Sequence, residues 1–149
     1  MSDGNEANKA PRIIPLRTQH VSDGYTRIPL ANSDMMHFHI MSYGRKSGEN
    51  ALHAHRDEDH AFVVLEGEAR FRGSKMEPTV VTKNNMIFLP KDTYYAFSNN
   101  TDGPLVMLRV GASELKPDDR RRLDADGNPI KGRSQPQTGV KTIDGSFFE

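Results

Sequence analysis

His53-Ala54-His55-Arg56-Asp57-Glu58-Asp59-His60 runs directly into Ala61-Phe62-Val63-Val64-Leu65-Glu66-Gly67, and the reading of this stretch decides the fold. Half of the chain's six histidines fall within its first eight residues. His53 and His55 are two apart, so on an extended strand they project from the same face. A short acidic turn follows, and His60 opens the run Phe62 to Leu65, which reads as a buried strand. Gly67 closes that run at a tight turn. Two imidazoles on one strand, joined by a third from the return strand, make the nitrogen-rich donor set that transition metals prefer.

On either side the pattern stays extended. Tyr25 to Leu30 and Met35 to Tyr43 read as successive strands around the turn Ala31-Asn32-Ser33-Asp34. The second alternates, with His37, His39, Met41 and Tyr43 on one face and Phe38 and Ile40 on the other. Downstream, Glu68 to Phe71 completes a hairpin, 72–78 reads as a loop, and Thr79 to Thr82 as another strand. Met86 to Leu89, Tyr94 to Ser98 and Leu105 to Val110 follow, each bounded by turn residues. Many short strands at this spacing, with almost no helical period, predict an all-β sandwich or barrel.

The ends differ from this middle. Residues 1–10 are small and polar and are expected to be a flexible N-terminus. Pro11 to Leu16 is apolar but fenced by prolines, which suits an edge strand or a strap laid across a surface. The barrel is expected to span 11–112 and a C-terminal arm 113–149. In that arm, 113–123 offers a turn or two of helix capped by Ser113, and Gly132 to Gly139 reads as irregular. Phe147 and Phe148 after a polar tail suggest an end that docks on the barrel or on a partner subunit.

Composition excludes several classes of function. Twenty basic and twenty acidic residues cancel, which removes the electrostatic case for nucleic acid or an anionic membrane. The absence of cysteine rules out disulfides, thiolate metal sites and a cysteine nucleophile. No apolar stretch reaches membrane-spanning length and the first twelve residues lack a signal peptide's core, so a soluble, cytoplasmic protein is expected. No phosphate-binding glycine loop and no nucleophile elbow is present, and Asp124 to Asn128 reads as a turn rather than a calcium loop.

Gly48, His53, His55 and Gly67 also fall where the first motif of the cupin family has its glycines and paired histidines. The family's glutamate, seven before the second glycine, is His60 here. Between Asn85 and Asn99 the chain is similar to the second cupin motif: Pro90 and Asn99 match, and Tyr95 stands where the family has its last histidine. The resemblance implies a double-stranded β-helix, or jelly roll, binding a metal through three histidines and a glutamate. Carried over by position, the implied ligands are His53, His55, His60 and Tyr95, with Tyr95 and His60 as candidate catalytic groups. Iron, zinc, manganese, nickel and copper all suit such a set, and a phenolate would favour ferric iron.

Around the site, His39, Met41, Tyr43, Phe62, Phe88 and Phe97 are candidates for the pocket lining, with core packing the alternative for each of the apolar ones. His37 and His39 could supply a missing ligand, and Asp59 or Glu58 a carboxylate through a shift in the turn, while the favoured reading of Glu58 and Asp57 is as solvated turn residues and of His20 as a surface residue. The resulting expectation is a metal-dependent enzyme acting on a small oxygenated or carboxylated compound, by oxygenase, isomerase or lyase chemistry. The alternative is a non-catalytic module that holds a metabolite without a metal. A third reading, a purely structural partner-binding protein, requires a closed, dry barrel. Small cupins commonly pair, so a homodimer is expected.

Overall fold

Alternating side chains make strands only when each face finds a partner, and here two sheets supply one another's. The computed structural model describes residues 10–130 and 139–149. Its strands are β1 (Thr18–Asp23), β2 (Tyr25–Asn32), β3 (Met36–Tyr43), β4 (Gly48–His55), β5 (Asp59–Glu66) and β6 (Glu68–Gly73). They continue with β7 (Met76–Thr82), β8 (Met86–Leu89), β9 (Tyr94–Ser98), β10 (Leu105–Ala112), β11 (Arg122–Asp124) and β12 (Lys141–Phe148).

Two five-stranded antiparallel sheets, ordered β2-β3-β10-β5-β8 and β11-β4-β9-β6-β7, face each other as a jelly roll. Met41, Tyr43, Phe62, Val64, Leu105 and Met107 from the first sheet meet Ala69, Phe71, Tyr95 and Phe97 from the second. Phe71 and Phe97 lie 5.1 Å apart and Phe62 and Phe97 5.3 Å apart between ring centres, so aromatic rings fill the space between the sheets. Each such side chain contributes about 1.5–3 kcal/mol by leaving water. This end of the barrel is solid core. The polar site lies at the other.

The turn at Gly67 works as its residue type predicts: φ is +78°, which glycine adopts without strain, and Pro104's carbonyl sits where a Cβ would be. A separate two-stranded ribbon, β1 with β12, lies against β3. β1 is not evident from sequence because its only aliphatic residue is Val21; pairing with β12 and burial of Val21 against the sheet sustain it. On this ribbon His20 is buried rather than at the surface. Its Nδ1 lies 2.7 Å from Ser146 Oγ and its Nε2 2.6 Å from Glu66 Oε2.

Other expectations need correction. Pro11 to Leu16 forms no strand, and Ile13 is fully exposed. The loop expected over 72–78 tightens into a hairpin, with β7 starting at Met76. The helix expected after Ser113 reduces to a single 3₁₀ turn, Pro117–Asp119, because Pro117 fits a first turn but nothing caps it. The same arm adds β11 to the edge of β4. The irregular stretch expected at 132–139 and the flexible 1–10 fall almost wholly outside the described residues. No described helix is long and apolar enough to cross a membrane.

Candidate functional site

Register places the chemistry. β10 lies between β3 and β5, with Gly111 opposite both His37 and His60, and Arg109 opposite both His39 and Phe62. Across the barrel, β4 turns Glu49, His53 and His55 inward and pairs His53 with Tyr95 of β9. Glu58, in the turn between β4 and β5, folds back over this end instead of pointing to solvent. It is only 8% exposed, which corrects the solvated-turn reading. Asp57 beside it is bound to the Arg121 side chain at 2.9 Å.

Three donors from separate elements converge. His37 Nε2 lies 2.7 Å from Glu58 Oε2, His60 Nε2 lies 3.9 Å from the same oxygen, and the three ligand atoms fall within 4.8 Å of one another. Donors that each bind one ion at about 2.1 Å stand at separations of this order. Gly111 makes the approach possible, because a side chain there would overlap the His37 ring. His55 Nδ1, buried and without a hydrogen-bond partner, stands 3.9 Å from Glu58 Oε1. Residues able to hold a metal are therefore present, as a two-histidine, one-carboxylate set with a third imidazole beside it.

Of the four positions expected from the motifs, His55 and His60 meet a different cation. Arg109 is 4% exposed, and its Nη2 lies 3.3 Å from His55 Nε2 and 3.5 Å from His60 Nε2. Its Nη1 donates to Glu49 Oε1 at 3.1 Å. Tyr95 Oη sits 3.3 Å from His55 Nε2, while His53 turns aside: its Nε2 is 3.4 Å from Glu49 Oε2, and its Nδ1 is 3.0 Å from the Ala51 carbonyl. A second guanidinium, Arg120, approaches Glu58 Oε2 at 3.7 Å.

This cationic setting governs protonation. Burial first, then the Arg109 charge, holds His55 down at about 2 and lowers His60 further. Both are neutral imidazoles at neutral pH, as metal ligation requires. Burial pushes the Tyr95 phenol up, so it is a protonated donor. Burial opposes ionisation of Glu49, but Arg109 and the His53 contact outweigh it and hold the carboxyl at about 2. His39 is lowered to about 4, by burial and then by Arg27, His37 and Arg109.

Of the expected pocket residues, only His39 borders open space. Met41, Tyr43, Phe62 and Phe97 are at most 1% exposed and belong to the core, because their side chains interlock between the sheets. Phe88 faces outward at 57% exposure, since its partner on β5 is outward-facing Ala61, whereas neighbouring Leu89 points inward opposite His60. Three residues of the site carry no motif. Arg109 is legible afterwards as the one charge in an apolar strand. Glu49 shares the face of His53 and His55, at a spacing of two residues per repeat. Glu58 is legible only as one of two alternative carboxylates, with Asp59, in the turn after the paired histidines.

Antiparallel sheets in this order, closed over a histidine-rich end, define a double-stranded β-helix protein. The barrel is a cupin domain: residues 39–111 match the family model of that name. Solved structures share the fold at low identity. A double-stranded β-helix protein from Klebsiella pneumoniae aligns with a TM-score of 0.65 and 13% identity, over 78% of this chain and 93% of its own. An RmlC-like cupin from Methanocaldococcus jannaschii gives 0.57 and 14%, over 70% and 92%. KdgF from Halomonas gives 0.56 and 15%, over 64% and 83%. No curated protein matches the sequence closely.

Proposed function

We propose that this protein is a metal-dependent small-molecule cupin, with the metal held by His37, Glu58 and His60. The observation that carries the reading is the convergence of two imidazoles and one carboxylate, 2.7 and 3.9 Å apart at Glu58 Oε2. Two histidines and a carboxylate form the donor set of non-haem iron(II) centres, and such a metal would supply Lewis-acid or redox chemistry. Among the motif residues, neutral His55 beside the triad is a further donor, and His53 lies farther out with Glu49. Tyr95, protonated and 3.3 Å from His55, is a proton donor facing the same space. The chemistry proposed is turnover of a small oxygenated or carboxylated compound.

The test is metal content by mass spectrometry on protein purified without a histidine tag, after loading with iron(II), zinc, manganese, nickel and copper in turn. Near-stoichiometric metal that is lost in Glu58→Gln and retained in His53→Ala supports this assignment. Metal lost only in His53→Ala and His55→Ala places the ion on the motif residues instead.

A second reading is favoured by Arg109. A guanidinium already hydrogen-bonded between His55 and His60 is a resident cation, and a metabolite-binding module without a metal needs no other. Protein that takes up none of the five metals supports that reading.

A further inference from the structure

A cleft of about 220 Å³ opens between the strap of residues 10–17 and strands β2 and β3, and it leads to the back of His37 and His39. Its polar wall is Arg12, Asn32, His37 and His39; its remaining wall is the apolar stretch 29–31. Among the described residues, no acidic side chain borders it. In both imidazoles Nδ1 is buried and has no hydrogen-bond partner among the described residues. Buried polar atoms are almost always satisfied, so two such nitrogens on residues that line one cleft point to a missing partner.

The chemistry of that partner follows from the atoms available. His37 Nε2 faces the Glu58 carboxylate at 2.7 Å, so Nε2 carries the proton and Nδ1 offers a lone pair. That atom needs a donor, such as a hydroxyl. Arg12 and Asn32 offer hydrogen-bond donors, and neutral His39 can present Nδ1–H. Arg109 near His39 is already paired with Glu49, but Arg12 and Arg27 bring two further positive charges. These need an acceptor that is negatively charged. The stretch 29–31 offers apolar contact to the rest of the molecule.

We propose that this cleft binds a small hydroxy acid, its carboxylate on Arg12, Asn32 and His39 and its hydroxyl on His37 Nδ1. The inference deepens the small-molecule reading of this site but does not depend on the metal: the ligand's hydroxyl donates to Nδ1 when Nε2 carries the proton, and accepts from Nδ1–H when a metal takes Nε2. It places the ligand's hydroxyl one imidazole away from Glu58.

The experiment is calorimetric titration of EDTA-treated protein and of metal-loaded protein with four probes: glycolate, mandelate, phenylacetate and mandelamide. Phenylacetate lacks the hydroxyl and mandelamide lacks the charge. The expected result is binding of a hydroxy acid, glycolate or mandelate, in both preparations. Mandelate should bind at least about tenfold more tightly than mandelamide, the range of one charge-assisted hydrogen bond, and at least about threefold more tightly than phenylacetate, which loses a neutral one. Arg12→Gln, at an exposed strap position that no fold contact requires, should remove most of the mandelate advantage over mandelamide. Equal affinity for mandelate and mandelamide, an Arg12→Gln protein indistinguishable from the parent, or no binding of either hydroxy acid overturns the proposal. Because the EDTA-treated protein is tested alongside, a failure of metal loading leaves these outcomes readable.

Discussion

Arg109 is the residue on which the site turns. Its charge is buried among histidines and balanced by Glu49, and several kcal/mol of desolvation are offset only while that pair is intact. Arg109→Met should therefore destabilise the fold by about 3–5 kcal/mol, by leaving Glu49 buried without its partner. The double variant Glu49→Gln/Arg109→Met should lose less than Arg109→Met alone. Urea unfolding midpoints check this; a double variant no better than the single would show that Arg109 acts through packing.

The histidines make a second prediction at this scale. His55 and His60 are held neutral in the native barrel, whereas in the unfolded chain they titrate near 6.5. Below that value the unfolded state binds more protons, so stability must fall as the pH drops from about 6.5. Each of the two can contribute up to about 1.4 kcal/mol per pH unit, and half-buried His39 contributes less. Asp57, held at about 2 by its hydrogen bonds to Arg121, stays charged in both states above about pH 5 and adds no slope there. Unfolding of metal-free protein at pH 7.5, 6.5 and 5.5 measures the effect, and a flat profile would contradict neutral burial.

Among the elements, β10 does the most to position the site. It sets His37 and His60 opposite the same glycine and lays Arg109 between β3 and β5. In Gly111→Ala the new methyl group would collide with the end of the His37 ring, a side chain that can move, rather than with backbone. The variant should keep its far-ultraviolet circular dichroism while His37 is pushed from Glu58. Under the metal reading its metal stoichiometry falls; retained stoichiometry would remove His37 from the ligand set. The strands themselves were readable in the sequence wherever alternation was strong, as in β3 and β5. β1 was not, because its single aliphatic residue gives no period, and the strand exists through its pairing with β12. Phe88 was misplaced for a related reason. In a four-residue strand, the inward set is decided by register with β5, not by the identity of the residues.

For the whole molecule, the outer face of the β2-β3-β10-β5-β8 sheet carries Met86 and Phe88, at 61% and 57% exposure, along its β8 edge. We propose that two copies pair through this face, which would withdraw these side chains from water. Light scattering coupled to size exclusion should give twice the chain mass of 16.7 kDa for the parent and the single mass for Phe88→Asp. A monomeric parent would end the dimer proposal.

The sequence by itself determined that this chain is a β-barrel. Period-two alternation, the turn glycine at Gly67 and the inward pair His53 and His55 are local properties, set by geometry that repeats every two residues. It also excluded thiolate chemistry outright. Only the tertiary structure decided which groups meet at the site. His37 and Glu58 are 21 residues apart, and Arg109 stands 49 residues from His60. Their meeting follows from the register of three adjacent strands and from packing between the sheets, neither of which leaves a local pattern. A buried guanidinium and a buried carboxylate have the same letters as exposed ones. Enclosure and partners alone distinguish them.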